Sequence, residues 1–232
     1  MLFVIRWFGL FIAASLAAAP PAGRPAVELL ETGVFHGGEV AAQNGERWTG
    51  LYKTPRGFAW RATPITIRRV EDPIGDQPGA KTGIQVGATG SPLFLVKGLT
   101  GLIGRAVRPA QHEEGGMPLP VGPLRLECPG GCGVSRLTLT GRVTSSDAAA
   151  KPSQLILESG GVSQVLYEWP EGLNDQHCEL VWAGDLDGDG RLDLLMVLSG
   201  HDNVMERTLF LSSKRPRNKL VERVAVFSTK GC

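Results

Sequence analysis

The chain has 232 residues, with 24 Lys+Arg against 23 Asp+Glu and a formal net charge of +1, so no electrostatic footprint calls for nucleic acid or an anionic membrane surface. Its 31 glycines and 16 prolines are scattered between short apolar runs, which favours an all-β fold over a helical one. The length is enough for one large β domain or two small ones, each with a real core.

In chain order, Met1 to Arg6 carries one positive charge, Trp7 to Leu16 is apolar, and Ala17 to Ala19 are small. That is the layout of a secretory signal peptide over residues 1–19, cut near Ala17 or Ala18, because a later cut would leave Pro20 just behind it. Read instead as an uncleaved anchor, the apolar run is about half the roughly 20 residues a spanning helix needs. A periplasmic or secreted protein follows, with no membrane span once the leader is removed. Residues 20–26 read as a short exposed lead.

An N-terminal β region is expected over 27–110. Its strand-like runs are Arg47–Lys53, Phe58–Ala62, Ile65–Val70, Gly83–Val86 and Leu93–Lys97, parted by turn formers such as Asp72-Pro73 and Asp76-Gln77-Pro78-Gly79. Between Pro109 and Pro123 the apolar rhythm lapses, which reads as either a domain boundary or a long loop. A C-terminal β region over 123–232 follows, with runs at Leu124–Cys128, Leu137–Val143, Gln154–Glu158, Ser163–Trp169, Glu179–Ala183, Leu192–Leu198, Thr208–Ser212 and Leu220–Phe227. The expected fold is short antiparallel strands in one or two sandwich-like or barrel-like units.

Cys128, Cys132, Cys178 and Cys232 are even in number, and in an oxidising compartment they suggest two disulfides out of three possible pairings. Cys128–Cys132 and Cys178–Cys232 are preferred, the first because Pro129-Gly130-Gly131 between the two is a turn. A zinc or redox pair at Cys128 and Cys132 lacks the two-residue gap and the companion ligands.

The most specific signal is Gly184 to Leu195, whose interior reads D-x-D-x-D-G-x-x-D. Four carboxylates within nine residues repel one another unless a cation sits between them. Ca²⁺ takes six to eight oxygen ligands at about 2.3–2.6 Å. Asp185, Asp187 and Asp189 can turn inward from a curled backbone, the Arg191 carbonyl can face the ion, and Asp193 can close the shell. Gly188 and Gly190 allow the curl. An EF-hand is excluded in its usual form, since the twelfth loop position is Met196 and the flanks look like strands rather than helices. One bound Ca²⁺ in a strand–loop–strand is the expectation.

With those residues in view, Gly184 to Leu195 resembles the calcium loop of FG-GAP (VCBS-type) repeats, known from integrin α-chain propellers and exported bacterial proteins. Thr208 to Ser213 and Val224 to Cys232 resemble bacterial FG-GAP-like proteins as well, so the resemblance covers about residues 178–232. It implies the same ligand set: Asp185, Asp187, Asp189, the Arg191 carbonyl and Asp193. Propellers stack several such repeats and this chain has one, so a propeller surface is not implied.

No catalytic constellation stands out. Ser199, His201 and Asp202 are side by side, whereas a nucleophilic triad is assembled from separate elements. Trp48, Trp60, Trp169 and Trp182 lie in strand-like runs, which makes them core residues; exposed, they would instead mark a carbohydrate-binding module. A hydrolase is the remaining alternative. The expected function is that of an exported, non-catalytic, calcium-binding β protein with a structural role or another envelope or extracellular protein as its partner.

Overall fold

A computed structural model describes residues 26–72, 74–120, 122–128, 131, 133–142, 151–173 and 178–231. The expected signal peptide and most of the exposed lead lie outside them. Among the described residues sixteen strands follow one another: β1 (Glu28–Leu30), β2 (Gly33–Phe35), β3 (Arg47–Thr54), β4 (Gly57–Val70), β5 (Gly83–Ala88), β6 (Pro92–Lys97), β7 (Ala106–Val107), β8 (Pro109–Pro118), β9 (Leu124–Glu127), β10 (Val134–Arg142), β11 (Lys151–Ser159), β12 (Val162–Glu168), β13 (Cys178–Gly184), β14 (Asp193–Leu198), β15 (Val204–Leu211) and β16 (Glu222–Lys230). All pairings are antiparallel. The all-β expectation holds, and among the described residues no helix is long and apolar enough to cross a membrane.

Three sheets form. One has seven strands, in the order β1-β6-β3-β4-β5-β2 with β7 on β4; one has four, β12-β11-β10-β9; and one has five, β16-β15-β14-β13-β8. The long strand β4 curls the first sheet. Its residues 57–64 pair with β3 and residues 65–70 pair with β5. The sequence suggested two strands there, but Pro64 sits where the chain passes from one partner to the other and breaks neither ladder.

The five-stranded sheet lies in the middle. Val181, Trp182, Leu195, Val197, Leu209 and Leu211 share one apolar cluster with Trp48, Leu51, Phe58, Trp60 and Phe94 of the first sheet. Leu180, Leu194, Met196, Leu198 and Phe210 share a second cluster with Leu126, Leu137, Leu155 and Leu157 of the four-stranded sheet. Every residue of β14 is therefore buried, which is why Leu194 to Leu198 is apolar without alternation. The register shift between Leu180 and Trp182 marks a bulge at Val181, whose carbonyl lies 3.2 Å from His112 Nδ1 on β8.

One expectation needs correction. Pro109 to Pro118 is not a loop but β8, an edge strand of the central sheet. Its polar residues are tolerated because only one side of an edge strand is paired, and irregular register against β13 accommodates its ends. Cys178, expected to bridge Cys232, is a free, buried thiol. Its side chain faces the second apolar cluster, and burial pushes the thiol up to about 12. Cys132, expected opposite Cys128, lies outside the described residues, as does Cys232.

Candidate metal centre

The last pair of the β13–β14 ladder is Gly184 opposite Asp193, and residues 185–192 close the hairpin as a loop. The loop curls because Gly188 (φ +79°) and Gly190 (φ +78°) are left-handed, a conformation L side chains rarely adopt. An added Cβ at Gly188 would also meet the Arg105 guanidinium, whose flexible side chain would have to give way. The carboxylates fold the backbone further. Asp185 accepts the Gly188 N–H at 2.6 Å and the Gly190 N–H at 3.0 Å. Asp187 accepts from the Asp189 N–H at 3.3 Å, and Asp189 from the Arg191 N–H at 2.9 Å. Each is a local side-chain-to-backbone bond that offers the chain a turn in place of a ladder.

Three of the four predicted carboxylates converge. Asp185, Asp187 and Asp193 each bring an oxygen within 4.8 Å of the other two. Asp193 is wholly buried and acts as the hub. Its Oδ2 accepts the Leu186 N–H at 2.7 Å; its Oδ1 accepts the Ser212 N–H at 2.8 Å and the Ser212 hydroxyl lies 2.9 Å away. Burial nevertheless pushes the Asp193 carboxyl up to about 8, with the negative charge of Asp187 adding to the rise against the bonds from Ser212 and Leu186. Asp187 is raised as well, first by burial and then by the charges of Asp189 and Asp185, although the Ser213 hydroxyl donates to it. Hydrogen bonds normally lower a carboxyl that accepts them. Here desolvation and like charge win, so the ionised forms of Asp187 and Asp193 are disfavoured unless a cation joins them.

Asp189 stands apart from the three. Its Oδ1 lies 2.9 Å from the Ser212 hydroxyl, and its Oδ2 is 4.0 Å from Arg191 Nη1. Arg191 ends the loop, and the bond from its N–H to Asp189 orients that peptide. All the side-chain donors gathered at the centre are oxygen atoms, a set suited to a hard cation and not to a thiophilic one. Since a carboxylate oxygen has two lone pairs, those that accept N–H bonds can still ligate.

Several contributors were not legible from the loop itself. Ser212 and Ser213 directly follow β15, and their hydroxyls reach Asp189, Asp193 and Asp187. Trp60, in the first sheet, donates its indole N–H to the Leu186 carbonyl at 2.8 Å. Leu186 joins the same apolar cluster, so the loop is fastened to a different sheet from the one that carries it. A two-serine step after an apolar strand was the only hint of the first contribution, and nothing local pointed to the second.

The other candidates fall out differently. Ser199 is fully buried; its hydroxyl donates to the backbone carbonyl of His201 and accepts the His201 N–H, so it makes a turn and not a nucleophile–base pair. Trp48, Trp60, Trp169 and Trp182 are at most 3% exposed, and none offers a ring face to a sugar. Comparison with family models, with curated proteins and with solved structures finds no match to this chain.

Proposed function

We propose that the loop from Asp185 to Asp193 binds one Ca²⁺ and that the ion locks the centre of an exported, non-catalytic β protein. The observation that carries this reading is the convergence of Asp185, Asp187 and Asp193, where burial and like charge disfavour the ionised forms of Asp187 and Asp193 in the absence of a cation. Two ligands on opposite sides of a Ca²⁺ ion lie about 5 Å apart, so oxygens within 4.8 Å of one another need little movement to embrace it. Asp189, the Arg191 carbonyl and water complete the shell. The likeness of Gly184 to Leu195 to an FG-GAP loop supports the same assignment.

The role is structural or protein-interacting at the cell envelope, with another envelope or extracellular protein as the partner. The amino-terminal leader supports export, and so does a Cys128–Cys132 disulfide, which is part of this proposal. The Gly131 N–H donates to the Cys128 carbonyl at 3.3 Å, which closes a turn over that stretch. Cys178 is consistent with an oxidising compartment because a deeply buried, protonated thiol is inert.

The test is a pair of melting curves, one in EDTA and one in millimolar CaCl₂. Calcium is expected to raise the melting temperature, and Asp185→Asn to remove that increment while leaving the EDTA curve nearly unchanged. Identical curves for the unaltered protein would sink the reading.

A further inference from the structure

We propose that a cavity beside the acidic loop, walled by the four-stranded sheet and the β15–β16 connection, is a binding site for a small aliphatic carboxylate. It has a volume of about 300 Å³, at the lower end of the range for small-molecule sites. The inference goes beyond the calcium reading and does not depend on it.

The floor of the cavity is where the inner face of the four-stranded sheet changes character. Leu137 faces Leu157 across the β10–β11 ladder, and one step along that face Ser135 lies opposite Ser159. Alternation puts both serines on the core side, at a level where another pair of leucines would extend the core. Ser159 donates to the Val134 carbonyl. Ser135 is only 2% exposed, and its hydroxyl has no hydrogen-bond partner among the described residues. Bordering the cavity, that hydroxyl can donate to a ligand seated there.

Two cations border the same space, Arg191 at the end of the acidic loop and Arg215 after β15. Arg215 is half-buried and makes no ion pair among the described residues; Arg191 is exposed at the rim, and its contact with Asp189 is long at 4.0 Å. A guanidinium free at a partly desolvated site selects a carboxylate by paired N–H bonds. Leu157, Leu192 and Val221 supply the apolar remainder of the wall. The segment carrying Val221 is rigid, because the Gln164 side chain accepts the Leu220 and Val221 N–H groups and donates to the Val221 carbonyl. An anionic head between arginines and a short aliphatic body against leucine and valine match this lining. A free short-chain acid and the C-terminal residue of a peptide both carry that chemistry.

The experiment is calorimetric titration of the full chain with hexanoate, hexanamide and N-acetylleucine, each in CaCl₂ and in EDTA. Hexanoate or N-acetylleucine is expected to bind, and the tighter of the two identifies the source. Hexanamide is expected to bind at least about tenfold more weakly, as is the better carboxylate to Arg215→Gln. Ser135→Ala is expected to weaken binding while leaving the melting temperature unchanged or higher, which a purely structural serine would not do. No binding of either carboxylate, or hexanamide binding as well as hexanoate, would overturn the proposal. Carboxylate binding that persists while EDTA and CaCl₂ give identical melting curves would sink the calcium reading alone.

Discussion

Two acidic loops of this protein make opposite use of similar residues. In the loop between β4 and β5, Asp72 accepts the Ile74 and Gly75 N–H groups and faces His36 Nδ1 at 2.5 Å. Asp76 accepts the Asp72 and Thr82 N–H groups and the Thr82 hydroxyl. Both carboxyls are held below the ordinary carboxylate value: Asp72 chiefly by the His36 bond, Asp76 chiefly by the Asp72 N–H. In the loop between β13 and β14, hydrogen bonds are just as numerous, yet Asp187 and Asp193 are raised. Accepting bonds does not by itself make a carboxylate content. The first loop gives its anions a histidine and dispersed partners; the second packs them together and buries one. A loop of the first kind is complete as it stands, whereas one of the second kind has room for a cation.

The sharpest way to break that contrast is Asp193→Ala. It strands the Leu186 and Ser212 N–H groups in the interior, and the expected loss is about 2–5 kcal/mol, read by urea unfolding and present even in EDTA. A loss that appears only with calcium would mean Asp193 is a ligand and not also the hub. Next comes the ion itself. At a free Ca²⁺ ten times its Kd, the unaltered protein is expected to gain about 1.4 kcal/mol, and Asp185→Asn to gain nothing. Trp60→Phe removes the bond to the Leu186 carbonyl and is expected to cost about 1 kcal/mol in the same assay, with weaker calcium binding by calorimetry.

The smallest effect is expected from the first loop. His36 is raised above its ordinary value of 6.5, mainly by the bond to Asp72, so its contribution is complete below that value and fades as pH rises through the raised one. Asp72 is lowered, so its contribution is present above the ordinary 3.8 and fades as pH falls through the lowered value. The pair therefore stabilises best in the acidic-to-neutral interval between. An NMR titration of the His36 ring should give a midpoint above 6.5 that Asp72→Asn brings back down; an unshifted midpoint would remove the pair from the comparison.

Much of the strand pattern was legible in short runs. Arg47–Lys53, Leu93–Lys97 and Gln154–Glu158 each fall inside an observed strand, because alternation and turn formers are local signals. Leu194 to Leu198 was readable as a buried strand because it has no polar side. The polar edge strand β8 was not, since its place is set by β13 and not by its own apolar residues. The same limit applies to the candidate centre. Asp185, Asp187 and Asp193 announce themselves by spacing, whereas Ser212, Ser213 and Trp60 arrive through tertiary packing from other strands. Cys178 illustrates the same limit: its count among the cysteines said nothing of the strand that turns it inward among leucines.

The order of the layers has a consequence for how the molecule is made. The two outer sheets are encoded first, by residues 28–107 and 124–168, while four of the five strands between them come from residues 178–230. Until that last stretch joins them, each outer sheet has an oily face with nothing to lie against, so consolidation of both depends on the final fifty-odd residues of the chain.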